Sequence, residues 1–73
     1  MMAEIIIDQG IRHGKPTIKG TRVTVDDVLG WLEGGMTYEE IQREYNINKE
    51  QILAVIRYAA SFIRGEEVQK AVA

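Results

Sequence analysis

Few residues in this chain carry the functional groups that catalysis needs. His13 is the only histidine, and the chain has no cysteine. A catalytic nucleophile needs a base within hydrogen-bond reach, and no serine or cysteine stands beside His13 in the sequence. The adjacent carboxylates Asp26 and Asp27 fall in the first turn of a predicted helix, where negative charge offsets the helix dipole. We therefore expect no catalytic residue and predict that the chain is not an enzyme.

Two short segments place glycine beside a cation, as phosphate-binding loops do. They are Gly14-Lys15 and Gly20-Thr21-Arg22, and neither belongs to a complete P-loop pattern. A single histidine without any cysteine also leaves no structural zinc site. The sequence therefore predicts neither a metal site nor a cofactor.

Positive charge is concentrated in the N-terminal part of the chain. The net charge is −2, yet the stretch from Ile11 to Val25 has four cations and no acid, namely Arg12, Lys15, Lys19 and Arg22. On extended backbone such cations can contact the phosphates of double-stranded DNA. The alternative is a solvated surface strand whose charges keep a sheet edge soluble. We take the four cations as candidate DNA contacts, and both interpretations stay open.

Local sequence signals predict the elements that hold these groups. The β-branched run within Glu4 to Asp8 predicts a strand, and Pro16 favours extended backbone from Gly14 to Val25. Three residue pairs then have the spacing of a capping box, in which two side chains cap the start of a helix reciprocally. These pairs are Thr24 with Asp27, Thr37 with Glu40, and Asn48 with Gln51.

The capping pairs predict three helices in the second part of the chain. The first runs from Val25 to Glu33 and the second from Tyr38 to about Tyr45. The third begins after Asn48 and ends near Arg64, because Gly65 is read as its stop. The chain is then divided into an extended β arm over 1–24, a helical body over 25–64 and a flexible tail over 65–73.

The stretch from Thr37 to Ile56 has the layout of a helix-turn-helix. Ile41 and Tyr45 would face inward, Asn46 can take a left-handed turn conformation, and Ile47 would fill the turn. The third helix has an apolar stripe at the spacing of a core face, made of Ile52, Val55, Ile56, Ala59 and Ile63. The fold class is therefore mainly α, a three-helix bundle containing a helix-turn-helix and preceded by a short β-strand arm.

The outer face of the third helix has two interpretations. In a DNA-reading helix, outward residues near its start reach the base edges. Lys49 could address guanine, Glu50 could accept from cytosine, and Arg57 could hold a phosphate. The remaining outward residues are apolar and would pack on a partner helix instead, namely Leu53, Ala54 and Ala60.

A chain this small needs support beyond its own core. Its 73 residues bury only about 60% of the unfolded surface, and without disulfides or a metal the expected support is oligomerisation. We therefore predict a homodimer with these interface residues: Ile5, Ile7, Trp31, Leu53, Ala60 and Phe62. The sequence has no stretch of the length that a membrane span needs and no export signal, so we expect a cytoplasmic protein.

The segment GKPTIKGTRVTVDDVLGWLEGGMTYEEIQREY resembles the family called domain of unknown function 433. The resemblance extends from about Ile5 to Ala60. It rests on Gly14-Lys15-Pro16, Ile18, Gly20-Thr21-Arg22-Val23, Val25, Gly35, Glu40-Ile41, Tyr45, Ile47, Ile52, Ala54 and Tyr58-Ala59. The family usually has a proline soon after the position of Tyr45, and here Asn46-Ile47-Asn48 stands in its place.

This resemblance implies a homeodomain-like trihelical fold and the role of an antitoxin in a toxin–antitoxin pair. The implied partner is a PIN-like ribonuclease encoded beside it. Our first hypothesis is thus a dimeric antitoxin that binds this toxin and its own promoter DNA. The region after Phe62, with the outer face of the third helix, would contact the toxin. The alternative hypothesis is a homodimeric protein-interaction module that does not bind DNA.

Overall fold

Three helices follow a short two-stranded arm. The computed structural model describes the backbone of residues 3–72 and the side chains of residues 3–64. In chain order the elements are strand β1 (Ile5–Ile6), a single 3-10 turn (Arg12–Gly14), strand β2 (Thr17–Ile18) and the helices α1 (Val25–Glu33), α2 (Tyr38–Tyr45) and α3 (Lys49–Val72). The described residues are therefore mainly helical, as the sequence predicted. The homeodomain-like arrangement of the helices stays a prediction.

The three capping pairs begin the three helices, which confirms that part of the prediction. At α1 the Asp27 amide donates to Thr24 Oγ1 over 2.9 Å, and the Thr24 amide donates to Asp27 Oδ2 over 3.0 Å. Thr37 with Glu40 and Asn48 with Gln51 make the same reciprocal hydrogen bonds. Each N-cap contributes about 1 kcal/mol to helix stability. Short helices depend on such contributions, because helix nucleation is unfavourable.

The turn between α2 and α3 is three residues long. Asn46 has φ 55° and ψ 41°, the left-handed conformation predicted for it, and its amide donates to the Gln42 carbonyl. Ile47 is only 3% exposed, so it fills the turn as predicted. Asn48 then caps α3. Only the left-handed Asn46 and the buried Ile47 therefore separate the end of α2 from the N-cap of α3.

Gly65 does not end α3, contrary to the prediction of a stop near Arg64. The helix continues to Val72. A glycine inside a helix costs about 1 kcal/mol relative to alanine, and it is followed here by strong helix formers without a proline, Glu66, Glu67, Gln69, Lys70 and Ala71. The side chains of residues 65–73 lie outside the described residues, and the flexibility of this tail stays a prediction.

The arm is part of the core. Strands β1 and β2 are antiparallel, with Ile5 opposite Ile18 and Ile6 opposite Thr17. Strand β1 is shorter than the strand predicted over Glu4 to Asp8. On the other side of β2, Thr17 forms a bridge with Thr24. Ile18 is 1% exposed and Thr17 is fully buried. Strand β2 thus packs beneath the helices.

The helices and the arm share one apolar core. Its buried members come from β2, from all three helices and from the α2–α3 turn, namely Ile18, Val25, Val28, Ile41, Ile47, Ile52 and Val55. A core drawn from β2, the three helices and the α2–α3 turn makes these elements mutually dependent, because none of them buries its apolar face alone.

Three residues lie differently from their predicted positions. Ala54, predicted to face outward, is 5% exposed, because α3 packs against α1, α2 and β1 and buries more than one stripe. Tyr45, predicted to face inward, is 41% exposed; it is the last residue of α2 and stacks on Trp31. Ile63 is 58% exposed, since α3 is exposed throughout residues 61–64.

The conformation of Asn46 gives a test of the turn. We expect Asn46→Val to lower the free energy of unfolding by about 1–2 kcal/mol, because a left-handed conformation costs a side chain with a branched Cβ that much. The control is Asn46→Gly, which adopts positive φ without strain and should keep the wild-type stability. Urea denaturation followed by circular dichroism measures both. Equal losses in the two variants would show that the Asn46 side chain, rather than the backbone conformation, stabilises the turn.

Candidate binding surfaces of the arm and the third helix

The four arm cations fall into different environments. Lys15, Lys19 and Arg22 are exposed. Lys19 Nζ lies 3.5 Å from Glu4 Oε2, and both side chains are about two-thirds exposed. A pair this exposed contributes little to stability, so Lys19 is available to an external anion. Arg12 is half-buried and makes contacts of a different kind.

The Arg12 guanidinium joins the arm to α1. Its Nη1 donates to the Arg22 carbonyl over 2.8 Å and to Asp27 Oδ2 over 3.1 Å. The Asp27 carboxylate therefore has two tasks, the cap of α1 and the ion pair with Arg12. The sequence accounted for Asp27 as a cap and as a first-turn charge that offsets the helix dipole, and no sequence signal pairs it with a cation fifteen positions away.

The backbone around Arg12 is a left-handed turn. Arg12, His13 and Gly14 have φ of 49°, 58° and 80°, and positive φ is uncommon for residues other than glycine. The Lys15 amide donates to the Arg12 carbonyl over 3.2 Å, which closes the turn. Sequence reasoning placed extended backbone from Gly14 onward and missed this turn; its one available signal was the glycine itself.

Asp27 keeps its charge in the folded protein. Partial burial raises its pKa, but hydrogen bonds from the Thr24 backbone and side chain and from Arg12, together with the Arg12 charge, outweigh this effect and lower the pKa. The Thr37 backbone and side chain likewise lower the pKa of Glu40 in the second capping box. Both carboxylates are thus stabilised in the ionised form that their hydrogen bonds require.

The polar residues proposed as base readers share one side of α3. Lys49, Glu50 and Arg57 are exposed, and Leu53 between them is half-buried. Positions 49, 53 and 57 are four apart, so their side chains follow each other along one helix face. An open groove beside the α2–α3 turn is lined by Gln42, Asn46, Ile47, Asn48 and Gln51. It has no ionisable lining residue and offers no acid–base chemistry.

The residues predicted for a dimer interface differ in exposure. Ile7 is 61% and Phe62 58% exposed, and the Phe62 ring meets the Tyr58 ring edge to face at 5.1 Å. Trp31 already has a partner in its own chain, because its ring stacks on Tyr45 with centroids 3.6 Å apart. The others are half-buried in the single chain, namely Ile5, Leu53 and Ala60.

The described residues contain neither a metal-binding cluster nor a membrane-spanning helix. Among residues whose placement is described, no cluster of three or more histidine or acidic side chains has the geometry to hold a metal ion. Within the same part of the chain, no helix has the length and apolar character to cross a membrane.

Comparison with known proteins gives a family and one relative. The family model described as "Protein of unknown function (DUF433)" matches residues 5–59. A Mycobacterium tuberculosis protein named "Putative antitoxin VapB45" is 32% identical over 50 residues, which are 68% of this chain and 21% of the relative. The chain thus spans about a fifth of the length of the curated relative it matches. No solved structure matches the chain.

The lowered pKa of Asp27 gives a pH-dependent test of the Arg12 contact. We expect Asp27→Asn to reduce the free energy of unfolding at neutral pH by about 0.2–1 kcal/mol, the range for exposed charge pairs. A lowered pKa stabilises the fold fully above the ordinary value of 3.8, and this stabilisation disappears as the pH falls through the folded-state pKa. The stability gap between wild type and variant should therefore close below pH 3.8. Urea denaturation at neutral pH and below pH 3.8 measures this gap. A gap that persists in acid would show that it does not arise from the charge of Asp27.

Proposed function

The chain belongs to the DUF433 family, and we propose that it is the antitoxin of a toxin–antitoxin pair, a non-enzymatic protein that binds a toxin and the DNA upstream of its own gene. The observation that carries the proposal is the similarity to a relative named as an antitoxin. The family match over residues 5–59 includes the arm, α1, α2 and the first part of α3, so the arm and the α2–α3 unit are the surfaces to test.

The proposed toxin is a PIN-like ribonuclease, and its contact is the C-terminal part of α3. Two observations support this surface. Phe62 and Ile63 are each 58% exposed, which is a large apolar area for adjacent residues on one helix. The helix then continues to Val72, beyond the residues that pack on the arm. A helix that offers apolar anchors to a groove is a common form of protein recognition.

The second proposed partner is a second copy of the chain. Strand β1 pairs with β2 on one edge, and among the described residues no other strand joins the sheet. Ile7 directly follows β1 in the chain and is 61% exposed. Pairing of β1 with its mate across a two-fold axis would cover both copies of Ile7, since such an interface uses the same patch twice.

DNA binding is proposed to depend on the arm more than on base reading. The arm exposes Lys15, Lys19 and Arg22, and each phosphate contact adds about −0.9 to the log–log dependence of affinity on salt. The second helix of a helix-turn-helix, here α3, would enter the major groove with only Lys49, Glu50 and Arg57 as polar readers. Specificity should then be modest for the antitoxin alone and increase when the toxin adds valency.

The alternative function is a homodimeric protein-interaction module without DNA binding. The net charge of −2 favours it, because it gives no long-range attraction to a polyanion. The Arg12–Asp27 ion pair offsets one of the arm's four positive charges, which favours it further. The two proposals share the dimer, and a small PIN-like protein encoded by the neighbouring gene would favour the antitoxin over the alternative.

Truncation of the tail tests the proposed toxin contact. We expect a chain lacking residues 66–73 to bind the protein encoded by the neighbouring gene more weakly in a pull-down, because part of the helix that would occupy its groove is gone. Light scattering at micromolar concentration should still report twice the 8.3 kDa of the chain, reduced by the deletion. Undiminished capture of the neighbouring protein would exclude the tail from this interface, and a monomeric full-length chain would exclude the dimer.

A titration on promoter DNA tests the arm-led mechanism. We expect Lys19→Ala/Arg22→Ala to weaken binding and to make the salt dependence shallower by up to about 3.6 for the proposed dimer, because its two copies together no longer neutralise four phosphates. Lys49→Ala, which removes one cation from α3, should have the smaller effect. Fluorescence anisotropy at two salt concentrations measures the affinity of each variant and its salt dependence. Wild-type affinity in the arm variant combined with abolished binding in Lys49→Ala would reverse the assignment, and no binding by any variant would favour the alternative function.

A further inference from the structure

Arg12 contacts the backbone of two other arm cations. Its Nη1 donates to the Arg22 carbonyl over 2.8 Å, and its own carbonyl accepts from the Lys15 amide over 3.2 Å. The same Nη1 lies 3.1 Å from Asp27 Oδ2 in α1. One residue thus links two of the three exposed arm cations, Lys15 and Arg22, to the helical body. We call these four residues, Arg12, Lys15, Arg22 and Asp27, the arm clamp.

The arm clamp holds a backbone conformation that the local sequence does not favour. Arg12 and His13 both have positive φ, and such conformations persist only where surrounding contacts fix them. The Arg12 side chain supplies two of those contacts, and the Val25 amide bonded to the Pro16 carbonyl over 2.9 Å supplies a third. If the Arg12 side chain made no such contacts, the turn from Arg12 to Lys15 could adopt other conformations.

The charge of Arg12 is already matched. If Arg12 turned toward a phosphate, it would leave Asp27 without its ion pair and the Arg22 carbonyl without its donor. The exposed side chains of Lys15 and Arg22 can bind a phosphate without giving up such contacts. The two classes of cation in the arm therefore have different roles toward an external anion.

We propose that Arg12 is a positioning residue for DNA binding, which acts through the arm clamp to hold Lys15 and Arg22 in place as phosphate contacts and does not contact phosphate itself. This inference rests on the DNA-binding part of the proposed function. It assigns to Asp27, an acid, a positive contribution to the affinity for a polyanion.

Two adjacent aspartates give a matched test. Asp26 and Asp27 both lie in the first turn of α1, and substitution of either by asparagine removes one negative charge. Asp26 is exposed, and the described structure gives it no ion pair with Arg12. If only net charge mattered, both variants would bind DNA at least as tightly as wild type, because each removes one negative charge that repels the phosphates. The arm clamp makes Asp27→Asn bind more weakly and leaves the affinity of Asp26→Asn equal or higher.

The experiment uses the full chain and a fluorescent duplex from the region upstream of its own gene. Anisotropy is followed at salt concentrations between about 50 and 200 mM, where phosphate contacts dominate affinity. We expect Asp27→Asn to bind about tenfold more weakly at about 0.1 M salt, with a salt slope shallower by about one for each phosphate that the variant no longer neutralises. Arg12→Lys keeps the charge, but its ammonium lies on a stem one bond shorter and does not reach the position of Arg12 Nη1, which makes both contacts, so its affinity should fall in the same way.

A second measurement separates a loosened arm from a loss of folding. Amide hydrogen exchange should accelerate more at Lys15, whose amide closes the turn, than at Ile41 and Ile52 in the core, whose rates should rise by at most about fivefold, the factor that the expected loss of global stability gives. A variant that only unfolds more readily would accelerate the core amides at least as much as Lys15, and its folded molecules would bind DNA with the wild-type salt slope.

The outcomes distinguish this inference from the function on which it rests. If the wild type binds the duplex and Asp27→Asn behaves like Asp26→Asn, the positioning role is wrong while DNA binding stands. If Arg12→Lys binds as tightly as wild type, Arg12 acts through its charge, and the inference is again overturned. If the wild type does not bind at all, the DNA-binding proposal fails and the positioning role fails with it.

Discussion

The structure depends on the burial of the two-residue strand β2 against the three helices. Thr17 and Ile18 are almost completely covered, and Ile18 belongs to a core whose other buried members come from the three helices and the α2–α3 turn. A chain of 73 residues has little apolar surface to spare, so an arm that lay free would leave the core open. The same burial fixes where the arm turns, and therefore where its exposed cations stand relative to α1.

The starts of the helices were predictable because their causes are local. A side chain at Thr24, Thr37 or Asn48 meets a partner three residues ahead, and that geometry requires nothing from the rest of the fold. The predicted end of α3 was wrong because one glycine weakens a helix without stopping it. Ala54 was placed on the wrong face because the stripe argument assumes one packing surface per helix, whereas α3 has several neighbours.

The candidate site was predictable in composition and not in arrangement. The run of cations in the arm identifies a basic segment, and their exposure could be anticipated for Lys15, Lys19 and Arg22. The separate role of Arg12 could not, since it depends on the approach of α1 to a turn whose positive φ values have no strong sequence signal. Long-range contacts of this kind follow from the assembled fold, and a pattern read along one segment does not contain them.

The stack between Trp31 and Tyr45 has a practical consequence. Trp31 is the single tryptophan of the sequence, and its ring lies 3.6 Å from the Tyr45 ring with 3° between their planes. The stack joins α1 to the last residue of α2, immediately before the turn into α3. Indole emission therefore comes from one position, at the junction of two helices, in a ring packed face to face against a phenol. The chain has a built-in fluorophore whose intensity and anisotropy report the separation of α1 from α2 without any added label.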